Sequence, residues 1–243
     1  MKYTFWNQYS FISYDLILKL DIRLQNVVST LERFFKNTTT SELTDEKIEF
    51  YLAGSCIKSD TFRDIDIFFL TKDKFNEINQ SIDKKYFMYE NNSSSYIYDN
   101  EIIQIVYRER FLNKNLSFVV DVFDFHSTKI GFKCVLDRNF FDIKIIESDI
   151  REEFIKYLHT SVNKLVNVNI NPFVSLQRAI HFLKRGDDVP FSVFLNIILK
   201  ISQIDENDNI EKYFDRLQGD NEELHEIRKS IKNYMTKKRN LSV

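Results

Sequence analysis

The chain has 243 residues, a formal net charge of −2, 43% hydrophobic residues and 29% charged residues. That length and balance suit one large domain or two smaller ones and exclude global disorder. No apolar run reaches the ~18 residues that span a bilayer, and the opening MKYTFWNQYS lacks the apolar core of a secretory signal, so a soluble cytoplasmic protein with no membrane partner is expected.

Two cysteines and four scattered histidines offer neither a disulfide framework nor zinc-ligand spacing. The small net charge demands no nucleic-acid partner, although balanced totals can hide a local basic cleft. Leu20, Leu24, Val27, Leu31 and Phe34 recur at helical spacing and predict an amphipathic helix over about 13–36, followed by the polar loop NTTTSELTDEK. KIEFYLA (47–53) reads as a strand that stops at Gly54. SCIKSD then reads as one or two helical turns opening at Ser55, and DIDIFFL (64–70) as a second strand.

Further along, DKFNEINQSIDKK predicts a helix, NNSSS a hairpin tip and EIIQIVY a strand. FLNKNLSFVVDVF predicts a helix with Leu116, Val119, Val120 and Phe123 inward, and FDFHSTKIGFKCVL a further strand. From about 148 onward the strand signals vanish, and helices are predicted over 148–165, 171–185, 191–203, near 209–218 and over 221–239. Asn171 as cap, Pro172 at the first position and Gly186 past the end mark the second of these. On it Phe173, Leu176, Ile180 and Leu183 are expected inward, with Arg178, His181 and Arg185 opposite. The whole predicts an α+β protein: a mixed-sheet head over 1–147 and an all-helical domain over 148–243 that closes a cleft.

The chemistry concentrates in GSCIKSDTFRDIDIFF, residues 54–69. Side chains alternate along a strand, so Asp64 and Asp66 point to one face and Ile65 and Ile67 to the other. Two neighbouring carboxylates resist ionising together unless a cation sits between them, and Mg²⁺ favours oxygen ligands. Glycine at 54 lets a backbone approach a phosphate, and the Ser55 hydroxyl can donate to it. The plain alternative, an exposed turn, fits poorly with aspartates placed in an apolar strand.

This segment resembles the GS…D-x-D signature of the polymerase-β-like nucleotidyltransferases, closest to the heads of poly(A) polymerases and CCA-adding enzymes and to small phage- or virus-type nucleotidyltransferases. The resemblance implies an enzyme that moves a nucleoside monophosphate from a triphosphate, ATP or CTP, to an acceptor hydroxyl with two Mg²⁺ ions held by Asp64 and Asp66. It also implies a third carboxylate on a neighbouring strand: Asp124, in the FDF segment, with Asp121 as the alternative. Arg178 and then Arg185 match the family's basic helix residue that grips the triphosphate or base. The implied acceptor is an RNA 3′ end, such as that of a tRNA. A protein or small-molecule hydroxyl, and a silent nucleotide-binding relative, remain as alternatives.

Overall fold

The computed structural model describes residues 1–40, 46–60, 64–90, 93–169, 171–205, 207–214, 217 and 221–241. Part of the NTTTSELTDEK loop and the first two residues of the expected hairpin tip, 91–92, lie outside them. The chain divides into two compact units, Met1–His159 and Thr160–Val243.

The first unit is built on one mixed sheet. Its strands are β1 (Lys47–Ala53), β2 (Asp64–Phe69), β3 (Phe87–Glu90), β4 (Ser93–Tyr98), β5 (Glu101–Tyr107), β6 (Ile130–Asp137) and β7 (Asp142–Ile150). Their spatial order is β3-β4-β5-β2-β1-β6-β7. Only the β2–β5 pair is parallel among the described strands, with Asp64 opposite Ile102 and Asp66 opposite Gln104. The helices of this unit are α1 (Tyr14–Thr38), α2 (Lys72–Ser81), α3 (Leu116–Val122) and α4 (Glu152–Thr160), whose last residue reaches the second unit.

The strand period sorts side chains onto two faces. Ile48, Phe50 and Leu52 of β1, Ile65, Ile67 and Phe69 of β2, and Phe132, Cys134 and Leu136 of β6 join Leu20, Leu24, Leu31 and Phe34 of α1 in the larger core. The residues between them, Tyr51, Ala53 and Phe68, form a smaller core with Leu116, Val119 and Val120 of α3. Asp64 and Asp66 have the parity of Phe68, which puts them on the α3 face. Gly131 makes the close approach of α3 possible, because a Cβ there would stand 2.8 Å from Val120 and 3.0 Å from Leu116.

Local chemistry explains most of the boundaries. Thr71 caps α2 by accepting from Lys74 N, and Asn115 caps α3 by accepting from Phe118 N at 3.0 Å. Asp99 and Asn100, both at positive φ, make the tight turn that joins β4 to β5. Strand pairing continues past the expected end of strand structure at 148, because β7 pairs with β6 as far as Ile150 opposite Ile130. The division between units accordingly falls later than 147.

The second unit holds α5 (Pro172–Lys184), α6 (Phe191–Ser202) and α7 (Asn221–Leu241), with a short 3₁₀ turn over Ile210–Tyr213. Asn171 caps α5, Pro172 opens it, and Gly186 sits past its end at φ +87°. The buried side of α5 differs from the expected one. Phe173, Val174, Ser175, Ala179 and Phe182 are inside, whereas Ile180 and Leu183 are exposed. The rotation arises because Leu176 and Ile180 line an open groove of about 470 Å³ shared with Leu217, Ile227 and Ile231. His181 lines the same groove and so does not project opposite it.

Candidate active site

β1 ends at Ala53, and the chain must reverse immediately to reach β2. Gly54 makes that reversal at φ +103°, a conformation that L side chains rarely adopt, while its N–H donates to Ile130 O of β6 at 3.1 Å. The next residues form a single turn closed by Lys58 N donating to Ser55 O at 3.2 Å. The expected helical turns are absent from this stretch, because consecutive Cys56 and Ile57 are both buried in the larger core and draw the backbone out of a helical path. Any anion here meets turn N–H groups rather than the end of a helix.

Arg23 of α1 fixes the far side of the turn. Its Nε donates to Asp60 Oδ1 at 2.8 Å and its Nη1 to Lys58 O at 2.9 Å. The Lys58 ammonium lies 5.4 Å from the centre of the Tyr157 ring of α4. Cys56 is a bystander: burial, and then the charge of Asp66, push its thiol well above the ordinary range, so no thiolate forms beside the carboxylates.

Asp64 and Asp66 sit half-buried at the start of β2, with Ile65 and Ile67 fully inside on the other face. A Cβ placed on Gly54 would lie 3.6 Å from Asp66 Oδ2. The turn after β1 and the carboxylate of β2 are therefore direct neighbours, and the missing side chain leaves the space between them open.

Asp124 is placed differently from expectation. Strand β6 begins only at Ile130, and Asp124 lies in the short extended link between α3 and a 3₁₀ turn at His126–Thr128. The expected strand FDFHSTKIGF fails at its first half because this turn intervenes, with Thr128 Oγ1 donating to Phe125 O at 2.8 Å. Asp124 is 2% exposed and Phe125 is buried beside it. Phe123 packs edge-on against Phe68, ring centres 6.0 Å apart, which sets the link against the sheet face that carries Asp66. Asp121 is on α3 itself, 62% exposed, and bonds to Arg151 at 3.0 Å.

Among the described residues, no three His, Cys, Asp or Glu side chains stand as a group that could hold a metal ion. The pair Asp64 and Asp66 does offer hard carboxylate oxygens on one face beside an open backbone approach, a donor set that fits Mg²⁺. Arg178 is half-buried on α5 and Arg185 is exposed at its C-cap, both in the second unit.

Sequence reasoning missed Lys129 and Arg151. Lys129 is 3% exposed and its Nζ donates to Val120 O at 3.2 Å and Asp121 O at 2.9 Å. Arg151 contacts Asp121, Asp149 and Ser117. No short motif announces either residue, since their partners are set by the packing of α3 on the sheet.

No protein-family model matches the chain, and no curated protein matches it. Among solved structures it is similar to a CCA-adding enzyme in complex with ATP, at 15% identity and a TM-score of 0.47, over 83% of this chain and 46% of that one. The same enzyme type in complex with CTP gives 15% identity and a TM-score of 0.45, over 76% and 45%. A tRNA-processing enzyme with CTP gives 10% identity and a TM-score of 0.44, over 69% and 47%. The chain spans about half the length of these proteins. They belong to the class of enzyme that the GS…D-x-D motif resembles.

Proposed function

We propose that this chain is a Mg²⁺-dependent nucleotidyltransferase that moves a nucleoside monophosphate from ATP or CTP to the 3′ hydroxyl of an RNA. The observation that carries the reading is the placing of Gly54 beside Asp66: a Cβ on that glycine would stand 3.6 Å from a carboxylate oxygen that shares its face with Asp64, so the turn backbone lies open next to the aspartate pair. A phosphate chain needs both halves, N–H donors on one side and cation-holding oxygens on the other.

The roles follow from the residues. The turn that follows Gly54, whose own N–H is held by Ile130 O, would receive the β- and γ-phosphates through the next backbone N–H groups and the Ser55 hydroxyl. Asp64 and Asp66 would hold the two Mg²⁺ ions, and Asp124, in the link whose Phe123 packs against Phe68, would be the third carboxylate. When bound, these ions neutralise the triphosphate and make the acceptor hydroxyl more acidic. The acceptor oxygen would bond to the α-phosphorus as the bridging bond from the α-phosphorus to the β-phosphate oxygen breaks, its electron pair leaving with pyrophosphate and the hydroxyl proton passing to solvent.

Labelled ATP and CTP, incubated with Mg²⁺ and either mixed RNA or a protein extract, test the assignment. Label joining RNA, and lost in Asp64→Ala, is expected. Label joining protein instead moves the acceptor to a polypeptide hydroxyl. No transfer to either, with nucleotide binding intact, leaves a nucleotide-binding protein without this chemistry.

A further inference from the structure

The buried ammonium of Lys129 is outside the roles just assigned, yet it touches the segment that carries Asp124 at both ends. Its side chain binds the last carbonyls of α3, Val120 O and Asp121 O. Its own backbone closes the 3₁₀ turn on the far side, with Lys129 N donating to His126 O at 3.1 Å, and Lys129 O accepts from Arg151 N at 3.1 Å. One residue thus closes the loop from 120 to 129, and Asp124 lies near its middle at 2% exposed.

Three features make this a directed arrangement. A cation is the favoured group at the carbonyl end of a helix dipole, and Lys129 adds its bonds there beside the one that Val120 O accepts from Phe123 N at 3.3 Å. An ammonium 3% exposed is expensive to bury unless hydrogen-bonded, so the loop is held at a defined separation from β6. The charge of Asp124 also reaches Lys129. Methionine would fill the same volume with none of these interactions.

We propose that Lys129 is a positioning residue for Asp124: it staples the base of the 120–129 loop so that the link carrying Asp124 stays packed, through Phe123 on Phe68, against the sheet. This rests on the nucleotidyltransferase reading for its catalytic consequence, but the staple itself can be read without turnover.

The test uses the full chain with Lys129→Met, Lys129→Arg and Asp124→Asn. Amide hydrogen exchange is followed at 123–126 and, as a control for global folding, in α1. Lys129→Met is expected to speed exchange at 123–126 at least tenfold with α1 unchanged, and Lys129→Arg to restore most of the protection. Mn²⁺ binding to each protein, measured by electron paramagnetic resonance, is expected to weaken about threefold to tenfold in Lys129→Met and in Asp124→Asn. In single-turnover transfer, Lys129→Met should lower the rate ten- to hundredfold with the half-saturating ATP concentration within twofold. Unchanged exchange at 123–126 in Lys129→Met overturns the proposal, as does loss of α1 protection in both Lys129 variants, which would make the residue a general core element. If Mn²⁺ binding is insensitive to Asp64→Ala and no transfer occurs, the nucleotidyltransferase reading fails, while the exchange comparison still decides whether Lys129 holds the loop.

Discussion

Gly54 and Asp66 face each other across the reversal from β1 to β2, with the position of a Gly54 Cβ 3.6 Å from Asp66 Oδ2. That spacing is ordinary van der Waals contact, so space alone would admit alanine. The backbone would not, because φ at Gly54 is +103°. Gly54→Ala should therefore destabilise the fold by about 1–2 kcal/mol. It should also weaken triphosphate binding far more than Ser55→Ala, which removes one donor and leaves the turn N–H groups in place. Calorimetric titration with a non-hydrolysable ATP analogue checks the ranking, and equal, negligible effects at both positions would remove the phosphate-turn role.

Asp64 and Asp66 carry two charges on one strand face, two residues apart. Replacing either by alanine removes polar contacts but also relieves like-charge repulsion, two effects that oppose each other. Melting in EDTA should shift by no more than about 2–4 °C, equivalent to about 1 kcal/mol for a chain of this size. Transfer should disappear in both variants. A steep loss of thermal stability in Asp66→Ala without any metal would show a structural role instead.

Legibility followed locality. The α1 stripe, β1 ending at Gly54, β2, β5, and the Asn171–Pro172–Gly186 punctuation of α5 were all readable, because each depends on a periodicity or on a cap within a few residues. β4 was not: Ser94 and Ser95 read as turn residues, yet both are buried where β4 pairs with β5. β7 was missed because it lies at the sheet edge, with Lys144 and Glu147 exposed and one neighbour only, so its hydrophobic signal is diluted. The aspartate pair announced itself through its apolar surroundings. Lys129 did not, because a lysine's partners are decided by which helix end packs above it.

Gly131 offers a test of how α3 is seated. A Cβ there would meet Val120 at 2.8 Å, closer than real contacts come, and Leu116 at a tight 3.0 Å. Gly131→Ala should cost about 1–3 kcal/mol by overpacking and lift α3 from the sheet. Because α3 leads into Asp124, transfer should fall even at temperatures where the variant is fully folded. Full activity in a folded Gly131→Ala protein would argue that α3 tolerates displacement.

Asp21 gives the fold a defined response to acid. The carboxylate is 1% exposed on α1 and accepts from Lys2 N, Tyr3 N, Trp6 Nε1 and Gln25 Nε2 at 2.7–3.0 Å. Burial pushes its pKa up, but these four donors together outweigh burial and hold it below the ordinary value. In the interval between the folded and unfolded pKa the unfolded chain binds more protons, so stability rises with pH there. The contribution is complete above the ordinary carboxylate value near 4 and is lost as pH falls through the lower folded value. Asp21→Ala should flatten that acid limb and cost about 1–3 kcal/mol at neutral pH by leaving the buried Trp6 Nε1 without an acceptor. Urea melts from pH 2 to 7 on both proteins check this, and superimposable acid limbs would rule it out.

The sharpest comparison sets Asp124 against Asp121. They are three residues apart, but α3 ends at Val122, so the two do not share a helix face. Asp121 points outward, 62% exposed and bonded to Arg151, where an ion pair contributes about 0–1 kcal/mol. Asp124 is buried in the link that Phe123 presses onto Phe68. A carboxylate that would help activate the acceptor acts on the rate, whereas one that would hold an ion brought in with the triphosphate acts on binding. Asp124→Asn should accordingly slow single-turnover transfer by several orders of magnitude and leave ATP affinity nearly unchanged. Asp121→Asn should keep rate and affinity within about threefold and lower stability by less than about 1 kcal/mol. The reverse ranking would transfer the role to Asp121, and full activity in both variants would leave Asp64 and Asp66 to work as a pair.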